Sequence, residues 1–502
     1  MLRRNPGKSS AFYLAIAQMI LGGCAGGGPS TASSSGATSS GTGTTSVAAL
    51  GAKPNIVFIV TDDLDVESIA SMPKLQAFMV NVGASFQNSF ASNPVCCPSR
   101  ASMLRGQYSH NHRVWTNGRG NNTCFDDFRS TGLESSTVAT WLQTAGYRTG
   151  LVGKYLNRYP ATRAGIVEDT HVPAGWDEWF AVFNSDYNSD SYFNYFANDN
   201  KKVVSFGKAD ADYETDVLTR RAVDFIGRAK DSGKPFFLWI ATTAPHAPSD
   251  PAPRHIYSQA DKRVPRTPSF NEADLSDKPR WYRDNLPLMK PSDITDMEGT
   301  YKRRLETLQA VDDQVERVLL ALDSSALLGS TYVIFTSDNG YLQGQHRFQS
   351  GKDAPYEESI RVPLIVRGPG VPAGLRPVYD VSNIDIAPTL AELGQAQAPS
   401  FVDGRSLVSL LSAAPPALAS WRQEVLIEHE PADVNGLPSW FALRNSREKF
   451  IGYPATGEEE YYNLVDDPFE TDSKHRALDP ARKAQLKSRL LQLEGCSGAS
   501  CR

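Results

Sequence analysis

Two short polar runs in this sequence carry side chains able to hold a hard cation. The first is Thr61-Asp62-Asp63 and the second Ser337-Asp338-Asn339-Gly340, and each directly follows an apolar segment of strand character. Three carboxylates and one amide oxygen form an all-oxygen donor set, suited to Ca2+ or Mg2+ and poorly suited to Zn2+. Asp and Asn after a strand also serve as turn and cap residues, but two such runs at equivalent ends of one sheet favour the metal. A third run, Val95-Cys96-Cys97-Pro98-Ser99-Arg100, places Pro98 where it suits the first turn of a helix. Cys96 then sits just before a helix N-terminus, where backbone N–H groups and the helix dipole favour an anion. Arg100 follows one turn inside, within reach of the same anion.

The elements that must position these groups read as α/β alternation. Asn55–Thr61, Arg148–Gly153, Pro235–Ala241, Thr331–Thr336 and Val362–Arg367 are short apolar or β-branched segments, as expected of strands covered on both faces. Helical patterns at Thr137–Ala145, Glu214–Arg228 and Tyr301–Leu322 lie between them. A mainly parallel sheet flanked by helices follows, and ligands of such sheets bind beyond the carboxyl ends of the strands. After about Leu411 the strand signals shorten (Glu424–Glu428, Trp440–Leu443, Lys449–Tyr453, Tyr461–Leu464) and a helix over Pro480–Leu493 closes the chain. That predicts a smaller C-terminal antiparallel sheet with a packed helix.

The 51 basic and 56 acidic residues among 502 give a formal charge of −5, which argues against a nucleic-acid partner bound through a basic surface. Hydrophobic residues at 40% and charged ones at 21% exclude disorder for the bulk of the chain.

The sequence Cys96-x-Pro98-Ser99-Arg100 followed by Leu104-x-Gly106 is similar to the signature of formylglycine-dependent sulfatases. The similarity runs from about Pro54 to the end. It takes in KPNIVFIVTDDLD, CCPSRASML, Tyr108-Ser-His-Asn-His112, Gly153-Lys154-Tyr155-Leu156-Asn157, Ala244-Pro245-His246, TSDNG, Gly351-Lys352 before Tyr356-Glu357, Tyr462-Asn463-Leu464 and Asp467-Pro468-Phe469-Glu470. Within that family the chain most resembles the N-acetylglucosamine-6-sulfatase type, because CCPSRAS, HNH and GKYLN occur together.

The resemblance implies an alkaline-phosphatase-like α/β fold. It implies that Asp62, Asp63, Asp338 and Asn339 bind a divalent ion, usually Ca2+ with Mg2+ as the alternative, together with Cys96 oxidised to formylglycine by a maturation enzyme. One hydroxyl of the hydrated aldehyde would attack sulfur and the second would release sulfate, which an ordinary Ser or Cys cannot do. Arg100, Lys154 and Lys352 would neutralise the sulfuryl oxygens, and His246 would protonate or position the leaving oxygen. Many sulfatases carry a histidine where this chain has Leu156, so His110 or His112 is weighed as a contributor to the pocket against a plain loop role.

Several features stand apart from the motif. Cys97 with Cys124, and Cys496 with Cys501, are expected disulfide pairs in an exported protein, with free buried thiols as the alternative. Asn121-Asn122-Thr123 matches a glycosylation acceptor, read as accidental beside a bacterial-looking export signal. Aromatics across Trp176–Tyr195 form either a sugar-stacking wall or core packing, with packing favoured. His171, His255, His346 and His475 are read as surface or satisfied core residues, and His429, between Glu428 and Glu430, as one to inspect near the pocket.

Arg3, Arg4 and Lys8 precede an apolar run from Ala11 to Leu21, the layout of a secretory signal and too short for the roughly 20 residues of a membrane span. Leu21-Gly22-Gly23-Cys24 resembles a lipobox, with a simple signal-peptidase cut as the alternative. Ala25–Ser46 holds only Ala, Gly, Pro, Ser and Thr and reads as a flexible tether. The expected division is a signal over 1–23, a tether over 24–53, a catalytic domain over 54–410 and a C-terminal subdomain over 411–502. The expected protein is an exported, lipid-anchored sulfatase acting on a sulfated carbohydrate such as 6-O-sulfated N-acetylglucosamine. Its rivals are an arylsulfatase on small aromatic esters, a phosphodiester or phosphonate hydrolase on the same fold, and a non-catalytic glycan-binding lipoprotein with Cys96 unmodified.

Overall fold

In β1 (Asn55–Asp62), Ile56, Phe58 and Val60 join one apolar core and Val57 and Ile59 another, all fully buried. Alternation with both faces apolar is what a strand needs at the centre of a covered sheet. The structure is a computed structural model describing residues 52–118, 124–160, 170–184, 191–430 and 436–502. The signal, Cys24, nearly all of the tether and the acceptor at Asn121-Asn122-Thr123 lie outside the described residues.

The other strands are β2 (Ala84–Ser85), β3 (Asn88–Phe90), β4 (Arg148–Gly153), β5 (Glu178–Phe183), β6 (Phe196–Asp199), β7 (Lys202–Ser205), β8 (Phe236–Pro245), β9 (Thr331–Ser337), β10 (Leu364–Arg367), β11 (Asp380–Ser382), β12 (Val425–His429), β13 (Trp440–Arg444), β14 (Glu448–Tyr453) and β15 (Glu458–Asn463). The large sheet runs β2-β10-β9-β1-β8-β4-β5-β6-β7. Its centre, β9-β1-β8-β4-β5, is parallel, and both flanks turn antiparallel. Helices Cys96–Arg105, Val138–Thr144 and Ile386–Leu393 cover one face, and Glu214–Ser232 and Pro291–Ser324 the other.

The long helix starts at Pro291 rather than at Tyr301. Its first turns are mostly polar, with Ile294 and Met297 the apolar residues that meet the core, and Pro291 fits the first helical position while the Asp293 side chain accepts the Lys290 N–H at 2.8 Å.

The C-terminal antiparallel sheet, β12-β13-β14-β15, forms as expected. Ile427, Trp440, Ala442 and Tyr462 pack on Tyr282, Leu342 and Tyr356 of the preceding part, while Leu426, Leu443 and Phe450 pack on Leu486, Leu490 and Leu493 of helix Pro480–Glu494. The cysteine pairs Cys97–Cys124 and Cys496–Cys501 are both disulfides. Trp176, Trp179, Phe180, Phe183, Tyr192 and Tyr195 are buried in the two large cores, so packing accounts for these aromatics and they present no wall to a sugar.

Candidate active site

Four strands adjacent in the sheet, β9, β1, β8 and β4, deliver polar groups at their carboxyl ends. The registers Thr61↔Ser337, Asp62↔Pro245 and Gly153↔Ala241 bring those ends level. Asp62 ends β1 and Asp63 follows it, Asp338 and Asn339 follow β9, His246 follows β8, and Lys154 follows β4. Helix Cys96–Arg105 adds Cys96 and Arg100, and the segment after β9 returns with Lys352. The residues singled out from the sequence therefore converge.

Cys96 Sγ lies 3.3 Å from Asp62 Oδ1 and 2.6 Å from Lys352 Nζ. Lys352 Nζ also meets Asp63 Oδ1 at 2.5 Å, and Lys154 Nζ meets Asp62 Oδ2 at 2.5 Å. Arg100 braces the carboxylates from within, with Nε to Asp338 Oδ2 at 2.8 Å, Nη2 to Asp62 Oδ2 at 3.4 Å and Nη1 to the Lys154 carbonyl at 3.1 Å. His246 donates from Nδ1 to the Ala247 carbonyl at 2.6 Å and turns Nε2 toward Asp63 Oδ2, 3.7 Å away. The side chains of Asp62, Cys96, Arg100, Lys154 and Asp338 are essentially sealed from solvent, whereas Lys352 keeps 12% and His246 19% of theirs exposed. A ligand reaches this centre past Lys352 and His246.

The charges are unevenly matched. Burial opposes ionisation of Asp62, but Lys154, His246, Arg100 and Lys352 outweigh it and hold the carboxyl far below its ordinary range. Asp63 is likewise lowered, against burial, by Lys352 and His246. Asp338 is raised by burial and then by Asp62. Burial, then Asp62, pushes the Cys96 thiol well above its usual value, so the unmodified side chain is a neutral thiol and a poor nucleophile.

The carboxylate and amide oxygens gathered here are donors of the kind a hard divalent cation takes. Ligand atoms of Asp62, Asp63, Cys96 and His246 lie within 4.8 Å of one another, and Asn339 Oδ1 is buried with no hydrogen-bond partner among the described residues. Asp338 is engaged more fully than the sequence suggests, since its Oδ1 accepts the N–H groups of Asp63 and Asn339 while Oδ2 holds Arg100.

Two expectations need correction, and one open alternative is decided. Cys96 is the first residue of its helix, not the residue before it, with Val95 as cap. The Cys97 N–H is taken by Asn117 Oδ1 at 2.8 Å and Pro98 has none, so backbone donors do not form an anion cradle and side-chain cations must. Neither His110 nor His112 belongs to the centre: His110 pairs with Glu428 at 2.8 Å and the Cys496 carbonyl at 2.9 Å, and buried His112 bonds Ser102 Oγ at 3.0 Å. Leu156 is buried in apolar core. His429 is buried and stacked on Trp440, while His171, His255 and His475 bond Glu134, Asp313 and Ser473.

Two supporting residues escaped the sequence reading. Arg304, 2% exposed, donates to the Asp63 carbonyl at 2.5 Å and the Pro245 carbonyl at 3.2 Å, and Tyr192 donates to the His246 carbonyl at 2.7 Å. Arg304 had a signal, because it interrupts the apolar stripe of Tyr301, Leu308 and Val311 at helical spacing.

Comparison with known proteins shows the family. Residues 54–396 match the sulfatase family and residues 344–495 the C-terminal region of N-sulphoglucosamine sulphohydrolase. Human N-acetylglucosamine-6-sulfatase is 32% identical over 534 residues, covering 100% of this chain and 91% of that one. A Sulf-1 homolog of Caenorhabditis elegans is 37% identical over 395 residues, 76% of this chain and 54% of that protein, so the chain spans about half of that relative's length. Among solved structures, one in complex with its substrate D-glucosamine-2-N,6-O-disulfate superposes with a TM-score of 0.72 at 24% identity, over 88% of this chain and 97% of that one. The fold is that of the alkaline-phosphatase-like sulfatases. The chain belongs to the sulfatase family of sulfuric ester hydrolases.

Proposed function

We propose that this protein is an exported sulfatase that hydrolyses sulfate monoesters on sugars, such as 6-O-sulfated N-acetylglucosamine, in line with the name of its human relative, N-acetylglucosamine-6-sulfatase. The observation that carries this reading is the meeting of Cys96 with Lys352, Lys154, Asp62 and Asp63 at one buried point whose open side is lined by Lys352 and His246. In this reading Cys96 is oxidised to formylglycine, which when hydrated supplies one hydroxyl to attack sulfur and a second to expel sulfate. A divalent ion, Ca2+ on the oxygen-rich donor set, would be held by Asp62, Asp63, Asp338, Asn339 and residue 96, where it would supply positive charge to the sulfuryl oxygens.

The chain's own residues do the remaining work. Lys352 stands beside residue 96 and faces the side a substrate enters, so its ammonium neutralises charge gathering on the sulfuryl oxygens. Lys154 and Arg100 keep Asp62 ionised and in place. His246, tethered through Nδ1, presents Nε2 to the leaving oxygen and, as the imidazolium, gives it the Nε2 proton, returning to the neutral ring protonated at Nδ1. Residues 54–410 carry this centre and 411–502 back it. Residues 1–23 direct export, and Cys24 anchors the tether of 24–53 to a membrane through lipid, so Cys24→Ala is expected to release the protein from membranes.

Mass spectrometry of the peptide containing Cys96, from protein made in its own host, tests the reading. An aldehyde at residue 96, with turnover of sulfate esters ahead of phosphate esters and loss of turnover in Cys96→Ala, is the expected result. An unmodified thiol in folded protein that binds sulfated glycans without turnover overturns it in favour of a binding module, and preference for phosphate or phosphonate esters overturns the substrate class.

A further inference from the structure

A second buried polar cluster lies between the segment after β9 and the turn after β15, and the reaction above does not use it. The His346 imidazole is fully buried and stacked on the Tyr356 ring, with centroids 3.8 Å apart. Its Nδ1 is hydrogen-bonded to Glu272 Oε2 at 2.8 Å. Its Nε2 has no hydrogen-bond partner among the described residues and faces Glu358 Oε2 at 4.0 Å. Ligand atoms of His346, Glu358 and Glu470 all lie within 4.8 Å of one another.

An imidazole oriented through one nitrogen by a carboxylate, with the other nitrogen turned toward further carboxylates, is how proteins orient histidine metal ligands. The ammonium groups nearby are already engaged, Lys449 with Glu470 at 2.5 Å and Glu357 at 3.1 Å, and Lys278 with Tyr462 at 2.9 Å. A cavity of about 380 Å³ with Gln345 and Glu358 in its wall provides an entrance.

We propose that His346 Nε2, Glu358 and Glu470 form a second divalent-cation site, backed by Glu272, that takes a first-row ion such as Zn2+ or Mn2+ in preference to Ca2+. One imidazole nitrogen with carboxylate oxygens is a donor set such ions accept. His346 and Glu358 flank Lys352 in sequence, so an ion between them clamps both ends of the segment that carries Lys352 and ties it to the C-terminal sheet through Glu470.

The test is calorimetric titration of full-length, chelator-stripped and Ca2+-saturated protein with Zn2+ alone and Mn2+ alone, alongside the thermal midpoint. One equivalent is expected to bind the unmutated protein and raise its midpoint, reversibly with chelator. Glu358→Gln and His346→Gln are expected to lose that equivalent while keeping their Ca2+ affinity, and Glu272→Gln to bind on the order of 10–100-fold more weakly. No uptake by the unmutated protein, or equal uptake by it and Glu358→Gln, overturns the site. Should His346→Gln fail to fold, Glu358→Gln, which keeps the side-chain volume, decides. Because the readout is binding and not turnover, an inactive enzyme that still takes up the ion would sink only the catalytic reading.

Discussion

Replacing Arg304 by methionine isolates what one buried guanidinium does for the ends of two strands. Its Nη2 donates to the Asp63 carbonyl, its Nη1 to the Pro245 carbonyl, and its plane lies 3.9 Å from the centroid of the Tyr341 ring. The Pro245 carbonyl keeps a second donor, Ser249 Oγ at 2.9 Å, and the Asp65 carboxylate, 3.8 Å from Nη2, keeps Ser68 and Gln343, so the group left without its donor is the Asp63 carbonyl. A buried acceptor left bare costs about 1–3 kcal/mol, and a desolvated cation–π contact is worth about 2 kcal/mol. Together they predict a loss of about 3–5 kcal/mol, a large share of the roughly 5–15 kcal/mol of a typical domain. Asp63 itself sits at φ 64, a left-handed conformation that persists in a non-glycine residue only where neighbours over-determine it. Releasing its carbonyl displaces its carboxylate, and a misplacement near 1 Å costs on the order of 10²-fold in rate. Urea unfolding and steady-state kinetics on a chromogenic sulfate ester measure both effects. The expected result is a fall in kcat with KM little changed, because Arg304 is too deep to touch substrate, and a smaller effect in Arg304→Lys, which keeps the charge and loses the fork. A methionine variant within about 0.5 kcal/mol of the parent and equal in kcat would refute the reasoning, and a loss confined to KM would place Arg304 against substrate instead.

Asp338→Asn removes one charge from the cation set at constant volume; a unit charge at contact distance is worth several kcal/mol at an effective dielectric near 20, so Ca2+ affinity should fall at least tenfold by calorimetry, and unchanged affinity would remove Asp338 from the set. His112 accepts the Val114 N–H at Nδ1 and is held at about 3, mainly by burial. The unfolded chain therefore binds the extra proton between the ordinary histidine value and pH 3, so stability is full above that ordinary value and falls with acid by about 1.4 kcal/mol per pH unit. His112→Asn should flatten that limb of a urea-versus-pH series, and parallel limbs would contradict it. Removing Cys97 and Cys124 together opens a link spanning 27 residues, for which chain entropy predicts a loss of about 3–4 kcal/mol; a shift in the urea midpoint worth under 1 kcal/mol would point to residual structure in the unfolded chain.

The central sheet was legible because its signals are local. A short apolar run rich in β-branched residues, such as Asn55–Thr61, reads as a strand covered on both faces, and the polar residues that break each run mark the carboxyl ends where a parallel sheet collects its ligands. Those two facts placed Asp62, Asp63, Asp338 and Asn339 together before any coordinates, and the cysteine helix followed from Pro98. The start of the helix Pro291–Ser324 was not read from the sequence, since Ile294 and Met297 are thinly spread among polar residues and its cap is one hydrogen bond from Asp293.

What the sequence could not convey is how each polar group is used, because that is fixed by partners far along the chain. Arg100 looked free to meet an anion, yet Asp338, 238 residues on, and Asp62 take its donors. The helix terminus at Cys96 looked like an open anion cradle, yet Asn117 closes it. His346 looked like a satisfied core histidine because nothing local marks Glu272 as its orienting partner or Glu470 as its neighbour, 74 residues before it in the one case and beyond β15 in the other. In each case burial decides the outcome: a sealed charge must find its counter-charge within the fold, so Arg100 and Lys154 are bound to shape the carboxylates. Only the cations that keep some contact with water, Lys352 and His246 when protonated, are placed to meet an anion arriving from outside. By that logic a substitution at Lys352 should be felt in substrate turnover more than in stability, and one at Arg100 in both.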